Sequence, residues 1–311
     1  MSEVVRSKEE LVELMALGEI SGFTFEGFDA TGLDLSGCDL TDTAWREMVL
    51  DGVDFSDSSL ARCTMRGVRL LGAQLRMVDL TGAQLADVDF STARVSSRKL
   101  EGADLRRTRF YLADFSEVDL ATTLVAGAAF VQTLFCDARA TKVDFRGCDL
   151  TQATFSGAML EGSDFTEVTA PFVSFHGAKL SHARMARLRA RVADLREAIL
   201  DGADLQECDL RGAALDSVSA RRTNFRSARL RETRLSHADL RGALLQKADL
   251  VFADLSHAQL DSAVLVDADL EGANLHRARM EGAETSGAKL RSARKTDGDR
   301  ARAEDFNGGT A

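Results

Sequence analysis

Large apolar residues recur at every fifth position along most of the chain. From Phe25 to Leu290, 54 positions fall on multiples of five; 30 are Leu, 12 are Phe, and only Thr285 is polar. The residue two positions earlier is small, and it is Ala in 27 of the 54 cases. Twenty of the 24 glycines lie two residues after a multiple of five. We call each fifth-position residue the centre of its repeat.

A five-residue period fits neither of the standard elements. A helix would spread every fifth residue around its circumference, and a flat strand would alternate these residues between its two faces. The pattern instead predicts a chain that turns a corner every five residues and points one large and one small side chain inward. Glycine suits the corner because it adopts positive φ without a steric cost.

Repeats such as GADLR at 102–106 and GANLH at 272–276 resemble the pentapeptide-repeat family, whose motif is A(D/N)LXX. The resemblance covers about residues 20–293. It implies an all-β solenoid, a right-handed quadrilateral β-helix with four repeats per coil, and the 54 centres then make about 13 coils. Residues twenty apart should stack on one face, which predicts interior ladders of rings such as Phe90, Phe110 and Phe130.

The two ends of the repeat region differ. Ser7 and Glu10 form a capping box before Leu11, and Gly18 can end a helix, so residues 1–19 are predicted to be a short N-terminal capping α-helix. Residues 294–311 are polar and contain glycine, which predicts a disordered tail. The β-helix domain is then 20–293. Its last coil would be an open edge, which predicts a homodimer through the uncapped C-terminal coil.

Three places depart from the repeat. Arg98 occupies a small inward position, so the side chain must turn outward or pair, and we expect a local bulge. Near residue 188 the large and small residues exchange places, with Leu188 before Ala190. Pro171 follows a centre, and we expect one backbone hydrogen bond to be lost there.

The charge lies mainly at one end of the chain. The net charge is −10; residues 1–60 carry −11 and residues 61–311 carry +1. A basic footprint for nucleic acid is absent, so direct nucleic-acid binding is not expected. No run approaches the ~18 apolar residues of a membrane helix, and the acidic start is unlike a signal peptide, so the sequence predicts a cytoplasmic protein with no membrane partner.

The sequence contains no recognisable catalytic motif and no dinucleotide or phosphate-binding loop, so we predict neither an enzyme nor a cofactor. Cys38, Cys63, Cys148 and Cys208 fall at inward positions and Cys136 faces outward, which argues against a disulfide framework. His237, His257 and His276 would lie on one face in successive coils, with rings ~5 Å apart. Exposed histidines without a fourth ligand are the favoured interpretation, and zinc binding is the alternative.

Outward apolar residues point to an interaction surface. By the twenty-residue count one face carries a broken apolar stripe followed by arginines, a composition that is typical of protein interfaces. The candidate interface residues are Tyr111, Leu112, Val131, Pro171, Phe172, Val192, Arg189, Arg191 and Arg211, and Arg229 and Arg231 continue the same face. The alternative is scattered apolar exposure without a partner.

Two classes of function remain. The first is a non-enzymatic scaffold or adaptor for a protein partner, as solenoids generally are. The segment LGEISGFTFEGFDATGLDLSGCDL is similar to members associated with bacterial type VI secretion, which would imply an accessory role. The second is DNA mimicry: some family members that protect against quinolones resemble duplex DNA and bind type II topoisomerases such as gyrase. The near-neutral charge of residues 61–311 departs from that pattern.

Overall fold

The computed structural model of the chain describes residues 3–18 and 20–307. These residues divide into two compact units, Met1–Asp164 (unit 1) and Phe165–Ala311 (unit 2). Both units are parallel β-solenoids in which the chain turns every five residues. The predicted solenoid is therefore confirmed, and its bounds 20–293 stay a prediction.

Unit 1 begins with a short strand, which lies within the predicted helical range 1–19, and the N-terminal helix follows it. Short parallel strands pair with the strand one coil later. Helix α1 is Lys8–Leu17. The strands are β1 Val4–Val5, β2 Thr24–Glu26, β3 Ala44–Arg46, β4 Thr64–Arg66, β5 Gln74–Leu75, β6 Asp89–Phe90, β7 Arg94–Val95, β8 Arg109–Tyr111 and β9 Ala129–Val131. They form three sheets, β1-β2-β3-β4, β5-β7 and β6-β8-β9, and each pair joins residues twenty apart.

Single bridges rather than strands hold the coils of unit 2 together. The bridges run from Thr169↔Arg189 to Asn274↔Arg294, again with twenty residues between partners. This interval is slightly more than six coils. The structure thus shows about six turns in unit 2, and its coil count differs from the predicted count of about 13.

The residue before each centre is often Asp because its side chain closes the corner. The carboxylate accepts the backbone N–H two residues later, as Asp34 does from Ser36 at 3.0 Å and Asp254 does from Ser256 at 3.0 Å. This Asx turn satisfies an N–H that the neighbouring coil does not reach. The centre itself donates to the next coil, as Leu35 N does to Asp54 O at 2.7 Å.

The interior is filled by the centres and by the small residues two positions earlier. In unit 1 the rings of Phe90, Phe110 and Phe130 stack with centroids 5.0 and 5.5 Å apart and nearly parallel planes. Phe135 and Phe155 stack in the same way at 4.8 Å. These side chains are fully buried, which confirms the predicted ladders.

Helix α1 forms where the sequence predicts it. The Ser7 hydroxyl accepts the Glu10 N–H at 3.2 Å, and Gly18 ends the helix with φ of 72°. Leu11 is fully buried, and the Lys8 ammonium donates to the Thr31 carbonyl at 2.9 Å. The helix is thereby attached to the first coil.

The expected disorder of residues 294–311 is wrong over 298–307, which form helix α2, Gly298–Asn307. Asp297 caps this helix, since its carboxylate accepts the N–H groups of Asp299 and Arg300 at 2.9 and 3.1 Å. Residues 308–311 of the expected tail lie outside the described residues. In the described part of the chain neither helix has the length and apolar character needed to cross a membrane.

The three irregular places have different outcomes. At Arg98 the register shortens, because Ser96 bridges Asp114 only eighteen residues later. Ser97 is buried in place of Arg98, whose side chain faces outward and pairs with Glu117 at 3.3 Å. The exchange of Leu188 and Ala190 leaves the backbone regular, and both residues are fully buried.

The expectation of a lost hydrogen bond at Pro171 is wrong. The N–H of a residue one position after a centre does not bond to the neighbouring coil. It normally donates to the Asp side chain of its own repeat. The neighbours of Pro171 keep their bonds: Ala170 N donates to Arg189 O at 2.8 Å and Phe172 N donates to Arg191 O at 3.0 Å.

We predict that Phe110→Ala lowers the free energy of unfolding by about 3–5 kcal/mol, because it removes the middle ring of a buried stack and leaves a cavity. Tyr111→Ala, one residue away, is the control; Tyr111 is exposed, and its loss should cost within about 0.5 kcal/mol. Urea denaturation measures both variants. Equal losses for the two variants would contradict the assignment of these residues to the interior and the exterior.

Candidate interaction surface

The position two residues after a centre, which we call the corner, has a left-handed backbone in most repeats of the solenoid. Besides the glycines, 31 residues have positive φ, and most of them are polar. In unit 2 the exceptions are Phe172, Val192 and Phe252, with φ of 60°, 57° and 60°. A large or β-branched residue is strained in this region of backbone space, at a cost of order 1–3 kcal/mol.

The three apolar corner residues of unit 2 are also exposed. Phe172, Val192 and Phe252 are 57%, 53% and 58% exposed, so they contribute little to the interior. Phe252 lies flat over Gly272, where a Cβ would come within 2.5 Å of two carbons of the ring. Val192 lies next to Gly212 in the same way, 3.7 Å from where a Cβ would be. Gly272 and Gly212 leave room for these side chains.

These residues lie on one side of unit 2, which we call the Phe172 face. The coils on this side are joined by the bridges Thr169↔Arg189, Arg189↔Asp209, Asp209↔Arg229 and Arg229↔Asp249. Phe172, Val192 and Phe252 occupy the corner of the first, second and fifth of these coils. Sequence analysis found Phe172 and Val192 but missed Phe252, although Phe252 is four steps of twenty from Phe172. Pro171 is half-buried beside Phe172.

The five predicted arginines of this side divide into two groups. Arg211 makes two bonds to Asp209, at 2.8 and 2.5 Å, and these hold the pKa of Asp209 below its usual range. Arg229 lies 4.0 Å from Asp209, and Arg231 lies 3.5 Å from Asp249. Arg189 and Arg191 are exposed and have no ion-pair partner among the residues that the structure describes. The Phe172 face therefore combines apolar corners with uncompensated positive charge.

Unit 1 carries the other predicted apolar residues. Tyr111 and Val131 are register partners in β8 and β9. Tyr111 and Leu112 are exposed, Val131 is half-buried, and Leu112 has φ of 56°. Leu71, two steps of twenty before Tyr111, is also exposed and was missed by the sequence analysis. A single stripe that includes the residues of both units stays a prediction.

The predicted histidine column is present in unit 2, but the expectation that all three are exposed is wrong, because His276 is buried and His257 is half-buried. The rings of His237 and His257 stack at 4.6 Å, and those of His257 and His276 meet edge to face at 5.5 Å. Glu304 of α2 joins this column, with Oε2 at 3.5 Å from His257 Nε2 and 3.2 Å from His276 Nε2. The ligand atoms of His257, His276 and Glu304 lie within 4.8 Å of one another, which is close enough to hold a metal ion.

The hydrogen bonds of His276 argue against zinc at this cluster. The Asp297 N–H donates to His276 Nδ1 at 3.1 Å, so the proton of the neutral ring lies on Nε2 and points at Glu304. A zinc ion on Nε2 would need the opposite tautomer. Arg277 Nε also lies 3.2 Å from Glu304 Oε2, an ion-pair contact without hydrogen-bond geometry, and adds positive charge. We interpret the cluster as the attachment of α2 to the last coils.

The attachment of α2 depends on an ionised Glu304. The hydrogen bond from His276, together with Arg300, lowers the pKa of Glu304 to about 2. Arg277 adds contacts to the Ala301 carbonyl and to Asp305, both at 2.5 Å. Because the pKa is lowered, the contribution of Glu304 is complete above its ordinary value of 4.5 and is lost as the pH falls through about 2.

The cysteines do not form a reactive site. Burial raises the pKa of Cys63 and of Cys148 to about 12 and also raises the pKa of Cys208. All five cysteines are free thiols, and Cys38 and Cys136 are half-buried. Thiolate chemistry is therefore disfavoured at the three buried cysteines.

We predict that Glu304→Gln at pH 7 increases amide hydrogen exchange in residues 298–307 to rates typical of a fraying terminus, because the charge that attaches α2 is removed. Arg302→Gln is the control, since Arg302 is exposed and its ion pair among the described residues is with Asp299 within α2. Excess zinc should leave the melting temperature of the wild type unchanged. A zinc-dependent increase that Glu304→Gln abolishes would instead establish a metal site.

Comparison with known proteins agrees with this architecture. The family model for pentapeptide repeats matches residues 31–67, 58–96, 89–124, 128–166, 174–212, 208–247, 223–260, 248–284 and 258–294. No curated protein sequence matches the chain.

Solved structures resemble the chain only at low identity. HetL, a pentapeptide repeat protein involved in heterocyst differentiation regulation in the cyanobacterium Nostoc, is 24% identical over 93% of this chain and 97% of its own, with a TM-score of 0.21. Trypsin-treated QnrB1, a plasmid-mediated fluoroquinolone resistance protein, is 19% identical over 73% and 97%, with a TM-score of 0.28. A pentapeptide repeat protein of the Arabidopsis thaliana thylakoid lumen is 24% identical over 50% and 72%, with a TM-score of 0.24.

These TM-scores are too low to support an argument about function. The family model, in contrast, covers most of the chain and follows the five-residue period that the structure displays as corners. The chain belongs to the pentapeptide repeat family.

Proposed function

We propose that this protein is a non-enzymatic scaffold or adaptor that binds a protein partner through the Phe172 face. The observation that carries the proposal is the set of three exposed apolar residues held in strained corner positions on one side of unit 2. Pentapeptide repeat proteins are generally structural or interaction proteins, which is consistent with this class of function.

Backbone strain strengthens the argument from exposure. An exposed apolar side chain alone is common on protein surfaces and needs no explanation. At these corners, however, glycine would remove both the strain and the apolar exposure, and glycine is the most frequent residue there. Phe172, Val192 and Phe252 thus make the isolated protein less stable than glycine would. A gain in binding is the explanation that we favour, because large aromatic residues dominate interface energies.

The finer roles remain predictions. The similarity of the first forty residues to type VI secretion members would make the protein an accessory of that system, and a partner from a secretion cluster would support it. The homodimer through the C-terminal coil and the cytoplasmic location are likewise predictions. The last coil is open, since Leu275, Met280 and Leu290 line a cavity at its end.

A DNA mimic that binds topoisomerase is the second candidate, favoured by the acidic N-terminal coils. Residues 1–60 carry −11. In this segment the carboxylates of Asp29 and Asp34 accept the backbone N–H two residues later, at 2.8 and 3.0 Å, instead of forming an ion pair with a cation. Their negative charge therefore remains on the surface. The near-neutral remainder of the chain makes this the weaker proposal.

We predict that the purified protein does not protect gyrase supercoiling from a quinolone, because the net negative charge is confined to residues 1–60 and the remaining coils are nearly neutral. The measurement is a supercoiling assay with increasing protein, with and without drug. Protection that is lost when Asp34 and Asp39 are changed to Asn, but not when Phe172 is changed, would support DNA mimicry and contradict the scaffold proposal.

We predict that Phe172→Gly combined with Phe252→Gly weakens capture of the partner by roughly 30-fold or more, since truncation of an aromatic anchor costs about 2 kcal/mol or more. The melting temperature should not fall, because glycine relieves the positive-φ strain. Ile199→Ser removes an exposed apolar residue from another side of unit 2 and is the matched control. Quantitative affinity capture from a bacterial extract compares the three proteins.

An equal effect of Ile199→Ser would show that general surface hydrophobicity, rather than the Phe172 face, holds the partner. Unchanged capture by the double glycine variant, with its fold intact by circular dichroism, would contradict the proposal.

A further inference from the structure

We infer that the segment bound at the Phe172 face is an acidic polypeptide with apolar residues at its two ends. This inference rests on the proposed function and names the chemistry of the partner. It follows from the charges between the apolar corners, which the proposed function itself does not use.

From the coil of Val192 to the coil of Phe252, this face carries five arginines against three acids, Asp209, Glu232 and Asp249. Arg189 and Arg191 lie in one coil. Arg211 lies in the next coil together with Asp209, to which it is paired. Arg229 and Arg231 lie in the third coil, and Arg229 also approaches Asp209. Asp209 bonds to Arg211 at 2.8 and 2.5 Å. Arg191 acts on Asp209 only through a weaker long-range attraction that lowers the pKa of Asp209, and neither Arg189 nor Arg191 has a direct ion-pair contact among the described residues.

Elsewhere the chain neutralises arginines at the same repeat positions. Arg106, Arg146, Arg196 and Arg241 each make a bidentate pair with the Asp two residues before. In the coil of Arg191 this Asp is replaced by Arg189. The usual Asp–Arg pair is therefore absent beside Val192. Two arginines take its place, and repulsion between their like charges lowers the stability of the fold. An anionic partner would remove that repulsion.

The spacing of the face sets the size of the partner. Phe172 and Phe252 are four coil steps apart, or about 19 Å at about 4.8 Å per coil. An α-helix covers this distance in about 13 residues and an extended strand in about six. Carboxylates between the ends of such a segment would meet Arg189, Arg191 and Arg231, while its apolar ends would contact the two phenylalanines.

A polypeptide fits the surroundings of the face better than a nucleic acid does. Glu232 occupies the corner between Val192 and Phe252, and Asp249, Asp269 and Glu271 follow in the coils beyond. A nucleic acid carries a phosphate at every nucleotide and would meet these carboxylates. The net charge of −10 would oppose it as well. A polypeptide can instead place an uncharged residue opposite Glu232.

The test uses the full chain and three fluorescent probes. The first probe is a synthetic helical peptide of about 15 residues with Phe at both ends and Glu between them. The second has Gln in place of each Glu, and the third is a single-stranded DNA of about 20 nucleotides. Fluorescence anisotropy gives the dissociation constant of each probe for the wild type, Arg189→Gln/Arg191→Gln and Arg222→Gln/Arg226→Gln.

Arg222→Gln/Arg226→Gln is the matched control, because it removes two exposed arginines that have no acidic ion-pair partner in the described residues and lie on other sides of unit 2. We expect the Glu peptide to bind at least roughly tenfold more tightly than the Gln peptide. Arg189→Gln/Arg191→Gln should weaken it about tenfold and the control less than about twofold. The affinity should also fall as ionic strength rises from about 0.05 to about 0.5 M.

Three results would overturn the inference: equal affinity for the two peptides, equal effects of the two arginine variants, or tighter binding of the DNA probe. The captured partner separates this failure from that of the proposed function. If Phe172→Gly/Phe252→Gly abolishes capture while Arg189→Gln/Arg191→Gln leaves it unchanged, the acidic-partner inference fails and the scaffold stands. If the glycine variant leaves capture unchanged, the scaffold proposal itself fails.

Discussion

Backbone hydrogen bonding between neighbouring coils is the constraint on which each unit depends. A centre N–H reaches the next coil, as Leu35 N does to Asp54 O, and the residue before a centre reaches back to the previous coil, as Asp54 N does to Leu33 O. These bonds hold the coils close enough that one large and one small side chain fill the interior. A residue gained or lost would move every later centre out of the core, as a register slip does in any sheet.

The same constraint divides the side chains between structure and function. Inward positions are fixed by volume, and the residue before the centre is favoured as Asp because its carboxylate closes the corner. The corner residue and the one before it remain free of such demands, apart from positive φ at the corner. Phe172, Val192 and Phe252 occupy this free position at an expense in backbone strain, and the unpaired Arg189 and Arg191 lie in the coil between Phe172 and Arg211.

Sequence reasoning captured the solenoid because the period of five is local and uninterrupted. It identified the buried rings of Phe90, Phe110 and Phe130 and the capping of α1 at Ser7, since both follow from spacing and short-range bonds. The polar, glycine-containing composition of 294–311 does not indicate α2, whose N-terminus is fixed by the short-range cap at Asp297. Pro171 does not cost a hydrogen bond, because the N–H at that position does not bond to the neighbouring coil. The contact of Glu304 with His257 and His276 could not be predicted from the sequence, because Glu304 lies in α2, outside the five-residue repeat that places the two histidines.

Phe172 and Val192 are one coil of twenty residues apart and Val192 and Phe252 are three coils apart, so the length of the Phe172 face can change in steps of one coil. Removal of one whole coil between Val192 and Phe252 would preserve the packing of the interior and the turns of the remaining coils. It would bring Phe172 and Phe252 closer by about 4.8 Å. Gene duplication or deletion of twenty codons is therefore a route by which such a protein can change the length of the segment it recognises without inventing a new binding chemistry.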